Sequence, residues 1–156
     1  MAVSEIEEYR TDKDIYSGVA FGNDWIRIPS ICGRAIDLTL DIKAESTCEE
    51  LGIRFAADKE HHVELRFDVA RSVLTIDRSN SGQPDNITKK RSLKVRDRNG
   101  KLSLRLLIDR YSAEIFINDG EQTMSVTYYT DPSAQDIYFK ASGIAYMDIE
   151  KYDLQK

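Results

Sequence analysis

The chain is poor in several residue types, and each shortage removes a class of function. Its 156 residues include two cysteines, three prolines, two histidines and one tryptophan. Cys32 and Cys48 lack the paired spacing of a zinc or redox site. Two free buried thiols are therefore expected, with a disulfide between them as the alternative. His61 and His62 are adjacent. Neighbours on an extended strand point to opposite faces, so the two cannot easily share one metal and read as a surface turn. No apolar run approaches the ~20 residues of a membrane-spanning helix. The opening MAVSEIEEYR lacks the apolar stretch of a signal peptide. Basic charge is also in deficit: 22 Lys and Arg against 27 Asp and Glu, net −5, with a sequence pI of about 5.1. That balance argues against a nucleic acid partner, which calls for a basic patch or stripe. The densest basic cluster is Lys89 to Arg91, followed by Lys94, Arg96 and Arg98. It reads first as a solvated loop and strand edge, with a binding patch as the alternative. Glycine-rich phosphate loops and serine nucleophile elbows are absent. No cofactor, metal, nucleic acid or membrane is expected as a partner.

What the chain does have is alternation. Ile36, Leu38, Leu40 and Ile42 interleave with Asp37, Thr39, Asp41 and Lys43. Leu51, Ile53 and Phe55 interleave with Gly52 and Arg54, and Val63, Leu65 and Phe67 with Glu64, Arg66 and Asp68. The same period of two runs through LTID from Leu74, KLSLRLLID from Lys101, SAEIFIN from Ser112, TMSVTYY from Thr123, DIYFKA from Asp136 and AYMDIEKYDL from Ala145. Such a pattern predicts half-buried strands. Asn99-Gly100 and Asn118-Asp119-Gly120 predict tight hairpins. Pro29, Pro84 and Pro132 are placed outside the strands, and Glu5 to Arg10 as a single turn of helix. About ten to twelve short strands without a long helix predict an all-β fold: two antiparallel sheets face to face, jelly-roll or concanavalin-like. The length suits one domain over residues 1–156, with a lead-in stretch at 1–10.

The polar faces of these strands are densely charged. Glu64, Arg66 and Asp68 form one row, and Arg105 and Asp109 lie on another strand. Cross-strand ion pairing is the first reading; a concave sheet that recognises sugar hydroxyls is the second. Trp25 reads first as a core residue. Asn86-Ile87-Thr88 matches a glycosylation sequon, a three-residue pattern common by chance.

The run LRLLIDRYSAEIFINDGEQ carries Asp109, Arg110, Glu114, Ile115, Phe116, Asn118, Asp119, Gly120 and Glu121. A shorter echo upstream carries Leu74, Asp77, Arg78, Ser79, Ser81 and Gly82. Together they resemble the C-terminal β-sandwich of glycoside hydrolase family 32, the invertases, levanases, inulinases and sucrose-6-phosphate hydrolases. Tyr111 departs from that family's pattern, which has Ser there. The resemblance implies a domain cut from a larger hydrolase, with a catalytic propeller elsewhere in the parent. The propeller's acidic motifs are not matched: Gly22-Asn23-Asp24-Trp25, Arg96-Asp97-Arg98 and Cys48-Glu49-Glu50 share only fragments of them. No catalytic residue is assigned, since a retaining pair must stand about 5 Å apart across the bond and spacing in sequence cannot supply that. Both Asp-Arg pairs read first as structural corners.

Similarity to family 66 carbohydrate-binding modules implies a second role, binding the fructose ends of levan or inulin. Residue chemistry nominates Trp25, Glu50, Glu64, Arg66, Asp77 and Arg78 for that task. If the domain instead packs on a propeller, Val19, Phe21, Trp25 and Ile28 are nominated as the apolar outer surface. A sugar-independent interaction module is the third alternative. The resemblance implies an extracellular location for a levanase parent and a cytoplasmic one for a sucrose-6-phosphate hydrolase.

Overall fold

A computed structural model describes residues 10–82 and 89–154. Twelve strands run in chain order: β1 (Arg10–Phe21), β2 (Ile26–Cys32), β3 (Ile36–Ala44), β4 (Glu50–Ala57), β5 (Val63–Asp68), β6 (Val73–Asp77), β7 (Lys90–Lys94), β8 (Lys101–Ile108), β9 (Ser112–Ile117), β10 (Gln122–Thr127), β11 (Asp136–Ala141) and β12 (Ala145–Leu154). They form two six-stranded antiparallel sheets. Sheet I has the order β1-β12-β3-β8-β9-β10, and sheet II the order β2-β11-β4-β5-β6-β7. The all-β sandwich expected from alternation is the fold observed. Two meanders, β4 to β7 and β8 to β10, build four strands of sheet II and three of sheet I, and crossings between the sheets supply the remaining strands.

Period-two patterning places the core. Leu38, Leu40, Leu104, Leu106 and Ile115 face inward from sheet I, and Ile53, Phe55, Leu65, Ile76 and Phe139 from sheet II, none more than 3% exposed. Burying such side chains is worth roughly 1.5–3 kcal/mol each relative to leaving them in water. β3 supplies the most regular register, paired residue by residue with β8 on one side and β12 on the other. On its outer face Asp37 is clamped between Arg10 (Nε to Oδ2, 2.8 Å) and Arg105 (Nη2 to Oδ2, 2.7 Å).

Several local expectations are corrected. β1 reads poorly as a strand because two register shifts, at Thr11/Asp14 and Tyr16/Val19, break its alternation. Pro29 lies inside β2, not outside a strand; β2 is an edge, so the missing N–H costs no ladder bond. Asn99-Gly100 is a tight turn, with φ of 59° and 81° and the Lys101 N–H donating to Arg98 O at 3.3 Å. It is not a hairpin: it carries the chain from β7 in sheet II to β8 in sheet I. Asn118-Asp119-Gly120 does close the β9–β10 hairpin, all three residues having positive φ. Cys32 and Cys48 are both free, but only Cys48 is buried. The helical turn expected over Glu5 to Arg10 lies outside the described residues except for Arg10, which opens β1; Pro84 and the Asn86 sequon also lie outside them.

The DRY corner at Asp109 to Tyr111 is structural. Asp109 Oδ1 accepts the Arg110 N–H at 2.8 Å, and the Tyr128 hydroxyl sits 2.5 Å from Asp109 O and 2.8 Å from Ser112 O. Arg34, only 7% exposed, locks this end of the sandwich. Its guanidinium donates to Thr130 Oγ1 and to the carbonyls of Arg110, Thr130, Asp131 and Ala134. Burial lowers its pKa from the ordinary value, opposed by Tyr128, Tyr111 and Asp131.

Candidate functional site

The outer face of sheet II gathers the charges that the strand pattern leaves off the core. Arg54 on β4 faces Glu64 on β5, Glu64 faces Asp77 on β6, and Asp77 faces Lys90 on β7. In the neighbouring row, Gly52 faces Arg66 and Arg66 faces Thr75. Directly opposed residues lie close enough to pair, and here they link into one chain. Arg54 Nε donates to Glu64 Oε1 at 2.7 Å, Arg66 Nη1 to Glu64 Oε2 at 2.7 Å, and Arg66 Nη2 to Asp77 Oδ2 at 3.0 Å. Lys90 Nζ stands 3.8 Å from the same Asp77 oxygen. The ion-paired reading of the Glu64, Arg66 and Asp68 row therefore holds for Glu64 and Arg66, with Asp77 as the third member; Asp68 stands instead 3.9 Å from Arg71, and Arg105 pairs with Asp37.

Trp25 ends the chain of charges. It is half-buried on this outer face rather than in the core, because the loop between β1 and β2 delivers it there. The loop is held down where the Ala141 N–H donates to Gly22 O at 2.8 Å and the Gly143 N–H to Asn23 Oδ1 at 3.3 Å. Gly52 leaves room for the indole: a Cβ there would stand 2.9 Å from Trp25 Cη2. The Arg54 guanidinium lies 4.2 Å from the ring centroid and Lys140 Nζ 5.7 Å, both favourable cation–π placements.

Beside the indole opens a cavity of about 280 Å³ lined by Trp25, Glu50, Gly52, Arg54, Glu64, Arg66, Lys140 and Ser142. A second, of about 380 Å³, shares Trp25 and Arg54 and continues to Asp58, His62, Asn80 and Tyr138. Four of the six nominated residues, Trp25, Glu50, Glu64 and Arg66, thus meet at one cavity. Asp77 adjoins it through Arg66. Arg78 does not: its Nη1 donates to Thr127 Oγ1 at 2.8 Å, at the far edge of the sandwich. Sequence reasoning missed Arg54 and Lys140. Arg54 already stood on the polar face of an alternating strand, whereas Lys140 reaches the site only through the pairing of β11 with β4.

The electrostatics suit holding more than reacting. Burial alone would raise the Asp77 carboxyl, but hydrogen bonds from Ser79 and Arg66 outweigh it and hold it below its ordinary value. A general acid needs the opposite shift. Burial alone would lower Arg66, but Glu64 and Asp77 overcome it and raise its pKa. Burial and the Arg54 charge lower His62. The face therefore offers fixed guanidinium and ammonium donors, ionised carboxylate acceptors and one aromatic plane. Among the described residues, no group of three His, Cys, Asp or Glu is placed to hold a metal.

The apolar surface nominated for propeller packing is also corrected. Phe21 is only 4% exposed, and Val19 and Ile28 pack against the core. Among the described residues, the large apolar side chains that are exposed are Ile15, Tyr111, Tyr129, Ile144 and Tyr146.

Residues 5–154 match the family model described as glycosyl hydrolases family 32 C terminal. The chain is 28% identical over 155 residues to a sucrose-6-phosphate hydrolase of Staphylococcus xylosus, covering 98% of this chain and 31% of that protein. It is 27% identical over 131 residues to a levanase of Bacillus subtilis, covering 80% of this chain and 19% of that protein. In structure it is similar to fructan 1-exohydrolase IIa from Cichorium intybus, with a TM-score of 0.81 at 17% identity, over 100% of this chain and 38% of that one. The chain thus spans a third or less of the length of these two curated relatives.

Proposed function

From a chain that belongs to the glycosyl hydrolase family 32 C-terminal domain family, we propose a non-catalytic accessory sandwich of a larger hydrolase acting on fructose-containing saccharides. We assign its binding face to the outer side of sheet II. The observation that carries this is the meeting of Trp25, Arg54, Glu64 and Arg66 at one cavity. Sugar hydroxyls both donate and accept. A surface that alternates guanidinium donors with ionised carboxylates satisfies both needs, and an indole edge supplies apolar contact with ring carbons. Because the Glu64 and Asp77 carboxylates are already held by arginine, these donors and acceptors are fixed before a sugar arrives, which lowers the ordering cost of binding. The depressed Asp77 supports a binding role over an acid–base role.

Trp25 is the sole tryptophan, so its fluorescence reports on this face alone. Titration with levan, inulin, sucrose and fructose is expected to change the emission with the fructans. Trp25→Ala or Arg66→Ala is expected to abolish saccharide binding measured by calorimetry. Unchanged emission and no heat with any saccharide at tens of millimolar would remove the sugar assignment and leave a scaffold.

A second reading, packing on a catalytic domain of the parent protein, is favoured by one observation. Ile15 and Tyr146, on neighbouring strands of sheet I, are 57% and 41% exposed. Apolar side chains of that size in water are what a covered domain interface would hide. The two readings use opposite faces of the sandwich and are compatible.

A further inference from the structure

The two cavities on the outer face of sheet II share a wall, because Trp25 and Arg54 line both. The first begins at Glu50 and the second reaches Ala57, the two ends of β4. At about 3.3 Å per residue, the pair runs along about 23 Å of strand, several times the width of one sugar ring. We propose that the two cavities are adjoining subsites for one saccharide chain, so that the ligand is an oligosaccharide crossing the wall of Trp25 and Arg54 rather than a single sugar unit. The inference rests on the sugar-binding role of the Trp25 face.

The second cavity is framed by groups that suit neutral hydroxyls. Tyr138 on β11 is the Cα partner of Arg54 on β4, so it continues the row that carries the indole's cation–π partner. Its hydroxyl donates to Asp136 Oδ2 at 3.3 Å. Another wall is the loop between β4 and β5, which is folded on itself. Asp58 Oδ1 accepts the Glu60 and His61 N–H groups, both at 2.8 Å. Asn80 ties down the same loop. Its Nδ2 donates to Glu60 O at 2.9 Å, and its carbonyl accepts the His62 N–H at 3.0 Å. The loop is therefore set before a ligand arrives, which spares the cost of ordering it on binding. Burial and the Arg54 charge keep the His62 imidazole uncharged at neutral pH, so one ring nitrogen donates and the other accepts. The Tyr138 ring adds an aromatic surface for sugar ring carbons. The first cavity thus offers fixed ions, and the second an imidazole, an amide and an aromatic ring. A chain seated in the first cavity meets the second without a new encounter, so the second contact adds affinity as an intramolecular step.

The competing account is that the second cavity is a plain gap beside a surface loop, and ligand length separates the two. Fluorescence and calorimetric titrations should compare fructose with inulin-type oligosaccharides of three to five residues. Affinity is expected to rise about tenfold from fructose to the oligosaccharides, the worth of one or two added hydrogen bonds. In NMR spectra, fructose is expected to shift amides around Gly52 and Arg66, and the oligosaccharides to shift Asp58 to His62 and Asn80 as well. Tyr138→Ala is expected to cancel the gain, bringing the oligosaccharides down to the affinity of fructose. His62→Ala carries the same expectation and serves if Tyr138→Ala does not fold. Glu50→Gln, in the first cavity, is expected to weaken every ligand. Equal affinity for fructose and the oligosaccharides, or an advantage of the oligosaccharides that survives both Tyr138→Ala and His62→Ala, would overturn the shared-chain site and leave the Trp25 face standing. No response to any saccharide would overturn both.

Discussion

Replacing Gly52 by alanine should damage the candidate sugar site while sparing the fold. The new Cβ would stand 2.9 Å from Trp25 Cη2, against the 3.4 Å at which ordinary contact begins. The indole must therefore retreat by about 0.5 Å or swing away at Cη2, whereas ring atoms Cζ2 and Cζ3, both at 3.6 Å, would be in ordinary contact. Two energies of similar size oppose each other. Alanine in a strand interior recovers roughly 0.5–1 kcal/mol of backbone entropy relative to glycine. Loosening the stack of Arg54 on Trp25 forfeits about 0.5–1 kcal/mol for a pair at this degree of exposure. The unfolding free energy should then stay within about 1 kcal/mol of the parent, a change of a few degrees at most in Tm for a chain of this size. The emission maximum of the single tryptophan should move, and the saccharide response should fall. Urea denaturation gives the first quantity and steady-state fluorescence the other two. An unchanged emission spectrum together with an unchanged saccharide response would refute the seating of Trp25 on Gly52 and the site built on it. A loss of several kcal/mol would show instead that Gly52 is structurally irreplaceable.

Two further outcomes follow from the buried and paired charges. Arg34→Ala strips hydrogen bonds from four buried or half-buried carbonyls and one hydroxyl. It should cost about 3–5 kcal/mol, read as a drop of about 10 °C in Tm, with Arg34→Lys recovering only part; a loss under about 1 kcal/mol would contradict the locking role. Asp77 has a folded pKa below its unfolded value, so its stabilising effect is complete above about pH 4 and disappears as pH falls through the lower folded value. Unfolding free energies measured from pH 6 downward should show the parent losing its advantage over Asp77→Asn in that acidic window, and a constant difference down to pH 2 would contradict it.

Much of this was legible in the linear chain because strand alternation is a local code. Leu38, Leu40, Leu104 and Ile115 could be assigned to the core from period two alone, and all are buried. The same code placed Glu64 and Arg66 on one face. It failed where the backbone leaves the regular pleat. β1 carries Asp12 and Gly18 at positive φ within its two register shifts, and those shifts scramble its parity. Pro29 was misplaced because tolerance of proline depends on whether a strand lies at an edge, which is a property of the sheet. Trp25 was misread as core because hydrophobicity does not say which side of a sheet a loop will fall on. Asp77 and Arg78, adjacent in sequence, are parted in function because successive side chains on an extended chain point apart.

The sequence by itself determined the fold class, the inward rows of apolar side chains, the hairpin at Asn118 to Gly120 and the family. All of these rest on contacts between neighbours in the chain or on short motifs. Only the tertiary structure decided the sites. Trp25, Gly52, Glu64 and Lys140 lie on four segments, and the order β2-β11-β4-β5 sets them side by side. Strand order depends on which distant segments pair, and local alternation carries no record of that choice.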